Sequence, residues 1–154
     1  MKATRVAVTL AFCLLAAGVC LAQNPFMGTW KLNDAKSKFG PGATKNTTVT
    51  YEAAGDSIKV TVDGTDSAGN PANSVWTGKF DGKDYPATGG PEGSTRSYRK
   101  IGIRTLAFTE KSGGKITTSG RIVVSADGKS RTVTSTATDA SGKTNHSVAV
   151  YDKQ

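Results

Sequence analysis

Short runs of alternating apolar and polar residues occupy most of this chain. The runs are rich in Thr, Val, Ile and aromatic residues, and the turns between them are built from Gly, Asp, Asn, Ser and Pro. Such turn residues supply the positive φ that tight hairpins need. The rhythm therefore predicts antiparallel strands at 28–33, 47–52, 57–63, 74–80, 95–101, 105–110, 115–124, 130–138 and 144–151.

The alternation also predicts which side chains share a face. Ile58, Val60 and Val62 fall on one side of their strand, and the residues between them are polar. Four more pairs share a face in the same way: Trp76 with Phe80, Leu106 with Phe108, Ile122 with Val124, and Val148 with Val150. The threonines at 132, 134, 136 and 138 are expected on a solvated face. We expect an all-β, antiparallel up-and-down barrel of about eight or nine strands.

The connections contain little regular structure. One helical turn is expected within 33–39, where Asn33 or Asp34 can cap it, before Gly40 and Pro41 end it. The segment 85–93, rich in Pro and Gly, is the longest connection without a predicted element and the best candidate for a mobile loop. The similar segments 65–70 and 138–143 are interpreted as two related hairpin turns.

Residues 1–22 have the three parts of a secretory signal peptide. Lys2 and Arg5 precede an apolar run, which ends in a region of small residues with a cleavage site expected after Ala22. Both cysteines, Cys13 and Cys20, lie in this segment, so we expect no disulfide and no thiol chemistry in the mature domain 23–154. The destination is expected to be the periplasm of a bacterium or the extracellular space.

The chain is basic but its charge is dispersed. The net charge is +8, and removal of the signal segment would leave +6. A local basic group forms at Arg96, Arg99, Lys100 and Arg104, for which a solvated surface is favoured over an anionic partner because Tyr98 is the one aromatic residue among them. We expect no nucleic-acid partner.

The two ends of the mature chain resemble the calycin superfamily, which includes lipocalins, fatty-acid-binding proteins and avidins. The likeness lies in Phe26-Met27-Gly28-Thr29-Trp30-Lys31-Leu32 and in the ending Val150-Tyr151-Asp152-Lys153. It implies a lipocalin-like barrel that binds a small hydrophobic or amphipathic molecule. Two features depart from the fatty-acid-binding branch: no helical lid fits between the first two strands, and Ala149 stands where an arginine commonly precedes the tyrosine.

Trp30 is predicted to plug one end of the barrel. Gly28 allows the backbone to turn tightly into the first strand, and a tryptophan two residues later supplies one large ring. The lipocalin resemblance implies that a cation covers this ring, and both Lys153 and Arg131 are candidates.

The expected ligand site consists of aromatic residues that line a lumen and a few polar groups among them. A barrel of this size either is filled by its own side chains or holds one small ligand, and the resemblance favours the cavity. The candidate ligand-binding residues are Tyr51, Trp76, Phe80, Tyr98, Arg104, Phe108, Arg121 and Tyr151.

Catalytic and metal-binding groups are sparse. His146 is the one histidine, and its parity with Val148 and Val150 predicts a position on the inner face. The acidic residues cluster in turns, and the oxygen-rich segment 63–70 lacks the spacing of a calcium loop. We therefore expect no enzyme activity, no metal and no cofactor.

Two functions follow as hypotheses. The first is an exported protein that binds a small hydrophobic or amphipathic molecule in the barrel. The second is a non-enzymatic envelope interaction or inhibitor module that acts through the basic loops. In both cases we expect a monomer without stable membrane insertion.

Overall fold

A computed structural model describes residues 24–139 and 141–154. The predicted signal peptide and its cleavage site lie outside these residues. The described chain is almost entirely β-structure, with one 3₁₀ turn at Asp34–Lys36. Its ten strands are β1 Gly28–Leu32, β2 Lys45–Ala54, β3 Ser57–Thr65, β4 Ser74–Gly78, β5 Tyr85–Thr88, β6 Thr95–Gly102, β7 Thr105–Ser112, β8 Lys115–Val124, β9 Ser130–Thr138 and β10 Thr144–Lys153.

The strands form a closed antiparallel barrel. Each strand pairs with the next along the chain, and β1 pairs with β10 to complete the circle. That closing ladder is short, since it joins only three residues of β1, Trp30 to Leu32, with residues of β10. The predicted all-β, up-and-down barrel is thus confirmed, with ten strands where eight or nine were expected.

The additional strand is β5, which was wrongly predicted to be an unstructured connection. Pro86 argued against a strand, because proline cannot donate to a ladder. The β4–β5 ladder pairs only Val75 with Thr88 and Trp76 with Ala87, so Pro86 lies beyond its end. On the other side Ala87 donates its backbone N–H to the Ser94 carbonyl, 3.0 Å away. Pro86 therefore costs the sheet no ladder bond.

The chain enters and leaves β1 as its residues predict. Gly28 has φ +99°, a backbone conformation that disfavours any side chain, and the exposed Lys153 side chain passes over it. After β1, Asn33 caps the 3₁₀ turn by accepting a hydrogen bond from the Lys36 backbone N–H. The helical lid of fatty-acid-binding proteins has no counterpart here.

The two ends of the barrel differ. The turns that follow β2, β4, β6 and β8 gather at one end with the Phe26 segment and the C-terminus, and we call this the closed end. The connections that follow β1, β3, β5, β7 and β9 gather at the other, which we call the open end. The division matters because the large buried side chains lie toward the closed end.

Trp30 plugs the closed end. Its side chain is fully buried, and its indole Nε1 donates a 2.9 Å hydrogen bond to the Phe26 carbonyl. The segment before β1 is thereby folded back under the barrel. The predicted role of this tryptophan in packing is confirmed.

Both candidate cations cover the Trp30 ring. The guanidinium carbon of Arg131 lies 5.0 Å from the ring centroid, and Nζ of Lys153 lies 5.2 Å away. Arg131 also lies 5.0 Å from the Tyr51 ring and 4.8 Å from the Tyr151 ring. Only 2% of Arg131 is exposed, and its Nε and Nη1 have no hydrogen-bond partner among the described residues. Three aromatic faces therefore compensate this buried charge.

The two similar turns share one geometry. Asp66 accepts backbone N–H bonds from Ala68 and Asn70, each 2.8 Å long, and Asp139 accepts the equivalent bonds from Ser141 and Lys143. Hydrogen bonds from the Asn70 side chain and backbone lower the pKa of Asp66, and the Ser141 hydroxyl is the largest cause of the same shift in Asp139. Turn formation accounts for both carboxylates, as the repeat predicted.

We expect Trp30→Ala to lower the free energy of unfolding by about 3–5 kcal/mol, because it removes a fully buried ring and leaves a cavity. Lys153→Ala is the matched control: it removes only the exposed cation over the same ring and should cost less than about 1 kcal/mol. Urea unfolding measures both. Equal losses in the two variants would contradict the role of the ring as a plug.

Candidate functional site

A cavity of about 490 Å³ occupies the open end of the barrel. Its rim comes from the connections after β1, β3 and β5, and its wall comes from small and hydroxylated side chains of β6 to β10. The wall residues are Thr95, Ser112, Thr117, Thr118, Ser135, Ala137, Ser147 and Ala149. Small inward side chains at this end leave the space that aromatic residues fill at the other.

The floor of the cavity is more apolar. Phe108, Val133 and Tyr151 line both the main cavity and a smaller space of about 50 Å³ beneath it, which we call the deep pocket. Gly120 on β8 is needed here, because a Cβ would clash with the carbonyl oxygen of Thr134 and with the Phe108 ring. The missing side chain lets the Phe108 ring lie against the sheet.

An ion pair also faces this floor. Nη2 of Arg96 on β6 lies 2.7 Å from Oε1 of Glu110 on β7, and the two side chains are 11% and 33% exposed. The same nitrogen donates to the Ser74 hydroxyl at 3.4 Å. Arg96 and Glu110 both line the main cavity and the deep pocket, so this pair is the main polar feature of the floor.

Burial raises the pKa of two tyrosines at the floor. It raises the pKa of Tyr151 to about 12, with Arg131 opposing the shift and Tyr51 adding to it. Burial likewise raises the pKa of Tyr98, with Tyr51 nearby adding to the shift and Arg96 opposing it. Both phenols are therefore uncharged at neutral pH.

The predicted aromatic residues come together, but few of them line the cavity. Trp76 and Phe80 stack with ring centroids 6.5 Å apart, and Tyr98 packs edge-on to Trp76 at 4.8 Å. Trp76 and Phe80 belong to the packed core and line neither space. Tyr51 and Tyr98 line only the deep pocket, whereas Phe108 and Tyr151 reach the main cavity. Both expected alternatives therefore occur: side chains fill the closed end of the barrel, and a cavity occupies the open end.

The two predicted arginines lie elsewhere. Arg104 is exposed in the turn between β6 and β7, and Arg121 is exposed on β8 between inward-facing residues. Neither lines the cavity. Alternation with Ile122 and Val124 was enough to place Arg121 outside, because consecutive side chains of a strand point to opposite faces.

His146 lies on the outer face, and its predicted inward position is wrong. The inner residues of β10 are Ala149 and Tyr151, both buried, so Val148 and His146 point outward. Nδ1 of His146 lies 3.0 Å from the Thr136 hydroxyl on β9. The hydrophobic character of Val148 and Val150 misled the assignment, since Val148 is 37% exposed.

Arg96 and Glu110 belong to the site, although neither is among the residues predicted to bind a ligand. A usable signal was present: Arg96 is two residues from Tyr98, and Glu110 is two residues from Phe108, so each shares the inner face with an aromatic residue. Arg96 was instead assigned to the surface group with Arg99, Lys100 and Arg104, which are all exposed.

Within residues 24–139 and 141–154, no group of three or more His, Cys, Asp or Glu side chains is arranged to hold a metal ion. In the same part of the chain, no helix has the length and hydrophobicity needed to cross a membrane.

The raised pKa of Tyr151 predicts a stability loss in alkaline solution. Below pH 10 the phenol is neutral in both states; between pH 10 and 12 it ionises first in the unfolded chain, which lowers the free energy of unfolding. Tyr151→Phe removes this contribution, so the wild type should lose more stability than the variant over that interval. Urea unfolding at several pH values measures the difference. If the free energies of unfolding of the two proteins fall equally between pH 10 and 12, the prediction is wrong.

The chain matches no protein-family model and no curated protein. Among solved structures it is similar to the S-type phycobiliprotein lyase CPES from Guillardia theta, with a TM-score of 0.55 and 10% identity over 84% of this chain and 89% of the lyase. It is also similar to mFAP1, a redesigned β-barrel bound to DFHBI, with a TM-score of 0.48 and 15% identity over 84% of this chain and 95% of that one. The likeness to the lyase extends to the fold, an antiparallel β-barrel.

Proposed function

We propose that this chain is an exported, lipocalin-like protein that binds a small amphipathic molecule in the cavity at the open end of its barrel. The observation that carries the proposal is the cavity itself, about 490 Å³ in volume, with an apolar floor and a polar wall. Volumes of this order suit small-molecule sites, which combine apolar surface with a few polar groups that fix orientation. A fold hosts many functions, so the cavity and not the barrel supports the proposal.

The packed end supports the same proposal. Trp30, Trp76 and Phe26 are completely buried, so the closed end is filled and rigid. A molecule that enters the open end therefore meets a floor that does not need to rearrange. Preorganised sites lose less free energy to ordering when they bind.

Binding without catalysis is part of the proposal. His146, the one histidine of the chain, lies on the outer face and away from the cavity. Burial raises the pKa of both Tyr98 and Tyr151 above the ordinary value of 10, so neither phenol is poised to exchange a proton at neutral pH. The groups that face the cavity are suited to holding a molecule in place.

Native mass spectrometry of the protein purified from its own host tests ligand binding and export together. The expected mass is that of residues 23–154 plus one small molecule, which denaturation releases. A chain that keeps residues 1–22 would contradict export, and an empty cleaved chain would contradict the carrier function.

Two neighbouring residues of β9 provide a matched pair of variants. Ser135 lines the cavity, whereas Thr134 is exposed on the outer face. Ser135→Phe should fill part of the cavity and abolish retention of the small molecule, and Thr134→Phe should leave it unchanged. Retention in both variants would place the bound molecule elsewhere.

A second candidate function is favoured by the turn between β6 and β7. Ile103 is 81% exposed at its tip, beside the exposed cations Lys100 and Arg104. An apolar side chain between cations suits an anionic macromolecular partner, as the basic-loop hypothesis requires.

Retention on heparin tests this second function. If the turn binds anionic partners, Arg104→Gln should elute at lower salt than the wild type, whereas Lys143→Gln, a charge change at the open end, and Ser135→Phe should not. Equal shifts for Arg104→Gln and Lys143→Gln would indicate attraction by net charge alone and exclude a specific surface.

A further inference from the structure

The guanidinium of Arg96 has more donors than the protein uses. Within the described residues its Nη2 contacts Glu110 and Ser74, its Nη1 makes no hydrogen bond, and its Nε is fully buried without an acceptor and so out of reach of the cavity. Arginine usually satisfies a carboxylate through two parallel bonds, and the single Nη2 contact here leaves one edge of the guanidinium uncommitted. Unused donors in a buried position are costly, and sites that bind a polar ligand group commonly contain them.

Glu110 likewise has acceptor capacity that the protein does not use. Its Oε1 receives Nη2 of Arg96, and its carboxylate is more exposed than the arginine, with a third of the side chain accessible. Both residues line the main cavity and the deep pocket. The floor thus offers a spare donor edge and an acceptor side by side.

The charges around the cavity are compensated in pairs. The charged residues that line it are Arg96, Glu110 and Lys111. Arg96 pairs with Glu110, and Nζ of Lys111 lies 2.6 Å from a carboxylate oxygen of Asp84. A ligand anion at the floor would gain Arg96 but would face Glu110 at close range, and like charges placed together oppose binding.

We propose that the ligand carries a neutral polar group with both an acceptor and a donor, such as a carboxamide or lactam, which binds at Arg96 and Glu110. Its carbonyl oxygen accepts from Arg96, and its N–H donates to Glu110. The apolar part of the ligand lies along Phe108, Val133 and Tyr151, which continue from the ion pair across the floor. The inference rests on the proposed carrier function and specifies its ligand class.

The same arrangement should disfavour free fatty acids as ligands. A fatty-acid carboxylate has acceptors only, so it offers Glu110 no hydrogen bond beyond the one from Arg96, and its charge repels that carboxylate. Discrimination of this kind depends on a group that penalises the wrong ligand, and Glu110 supplies it.

Displacement of a neutral fluorescent probe tests the inference. The probe is N-phenyl-1-naphthylamine, and the competitors are decanamide and decanoate, which share a chain and differ in the head group. For the wild type, decanamide should displace the probe at a concentration at least about tenfold lower than decanoate, as expected for one charge-assisted hydrogen bond. Equal displacement, or a preference for decanoate, would overturn the inference.

Two variants test whether the ion pair causes the preference for decanamide over decanoate. Glu110→Gln removes the opposing charge, so decanoate should gain about tenfold and the preference should narrow or reverse. Arg96→Met should weaken decanamide about tenfold, and Arg121→Met is its control on the outer face. Circular dichroism checks that each variant is folded. If Arg96→Met does not fold, Glu110→Gln, which keeps the shape of the side chain, still tests the role of the ion pair.

The outcomes separate the two levels of the proposal. Probe binding that Ser135→Phe abolishes, without a preference between the competitors, would retain the carrier function and reject the amide ligand. A wild-type protein that binds neither the probe nor either competitor would reject both.

Discussion

The buried guanidinium of Arg131 is the interaction on which the closure of the barrel depends. It lies on β9 and contacts aromatic rings from β1, β2 and β10, namely Trp30, Tyr51 and Tyr151. The barrel closes between β1 and β10 through only three backbone pairs. A cation shared by rings on both sides of this seam adds side-chain attraction where the ladder is short. Burial of the charge is expensive, so the aromatic faces must remain in place around it.

This constraint divides the barrel into two structurally different halves. Aromatic side chains gather around Arg131 and fill the closed end, where Trp76, Tyr98 and Phe80 extend the cluster. Toward the open end the inward positions become Ser, Thr and Ala, and space remains. One barrel thus combines a packed end, which stabilises the fold, with a cavity at the other end.

The sequence was sufficient for the fold where the pattern was local. Hairpin turns and alternation placed nine strands because each depends on neighbouring residues, and Trp30 was recognised from one short motif. β5 is not predictable from local sequence because it contains Pro86. This proline fits the sheet because it lies beyond the end of the β4–β5 ladder and at the end of the β5–β6 ladder, and the positions of β4 and β6 are not encoded locally. The cation over Trp30 is unpredictable for the same reason. Both Lys153 and Arg131 contact its ring, and the pattern of a single strand does not show which distant residues will lie there.

The candidate site was only partly predictable for a related reason. Eight residues are predicted to line the lumen, and the six aromatic ones do face the inside of the barrel. Which of them pack and which border a space depends on the inward side chains opposite, such as Gly120 beneath Phe108. Arg96 and Glu110 were passed over because charged residues normally face water, and only pairing across two strands allows them to face inward.

The short ladders on either side of β5 make this strand the weakest part of the barrel wall. β5 shares two residue pairs with β4 and two with β6, whereas β9 and β10 share nine. The indole of Trp76 on β4 meanwhile reaches past β5 and donates a 2.7 Å hydrogen bond to the Arg96 carbonyl on β6. When β5 separates from its neighbours, this bond still joins them. Local opening of the barrel wall is therefore expected to begin at β5, where the fewest backbone pairs hold a strand to its two neighbours.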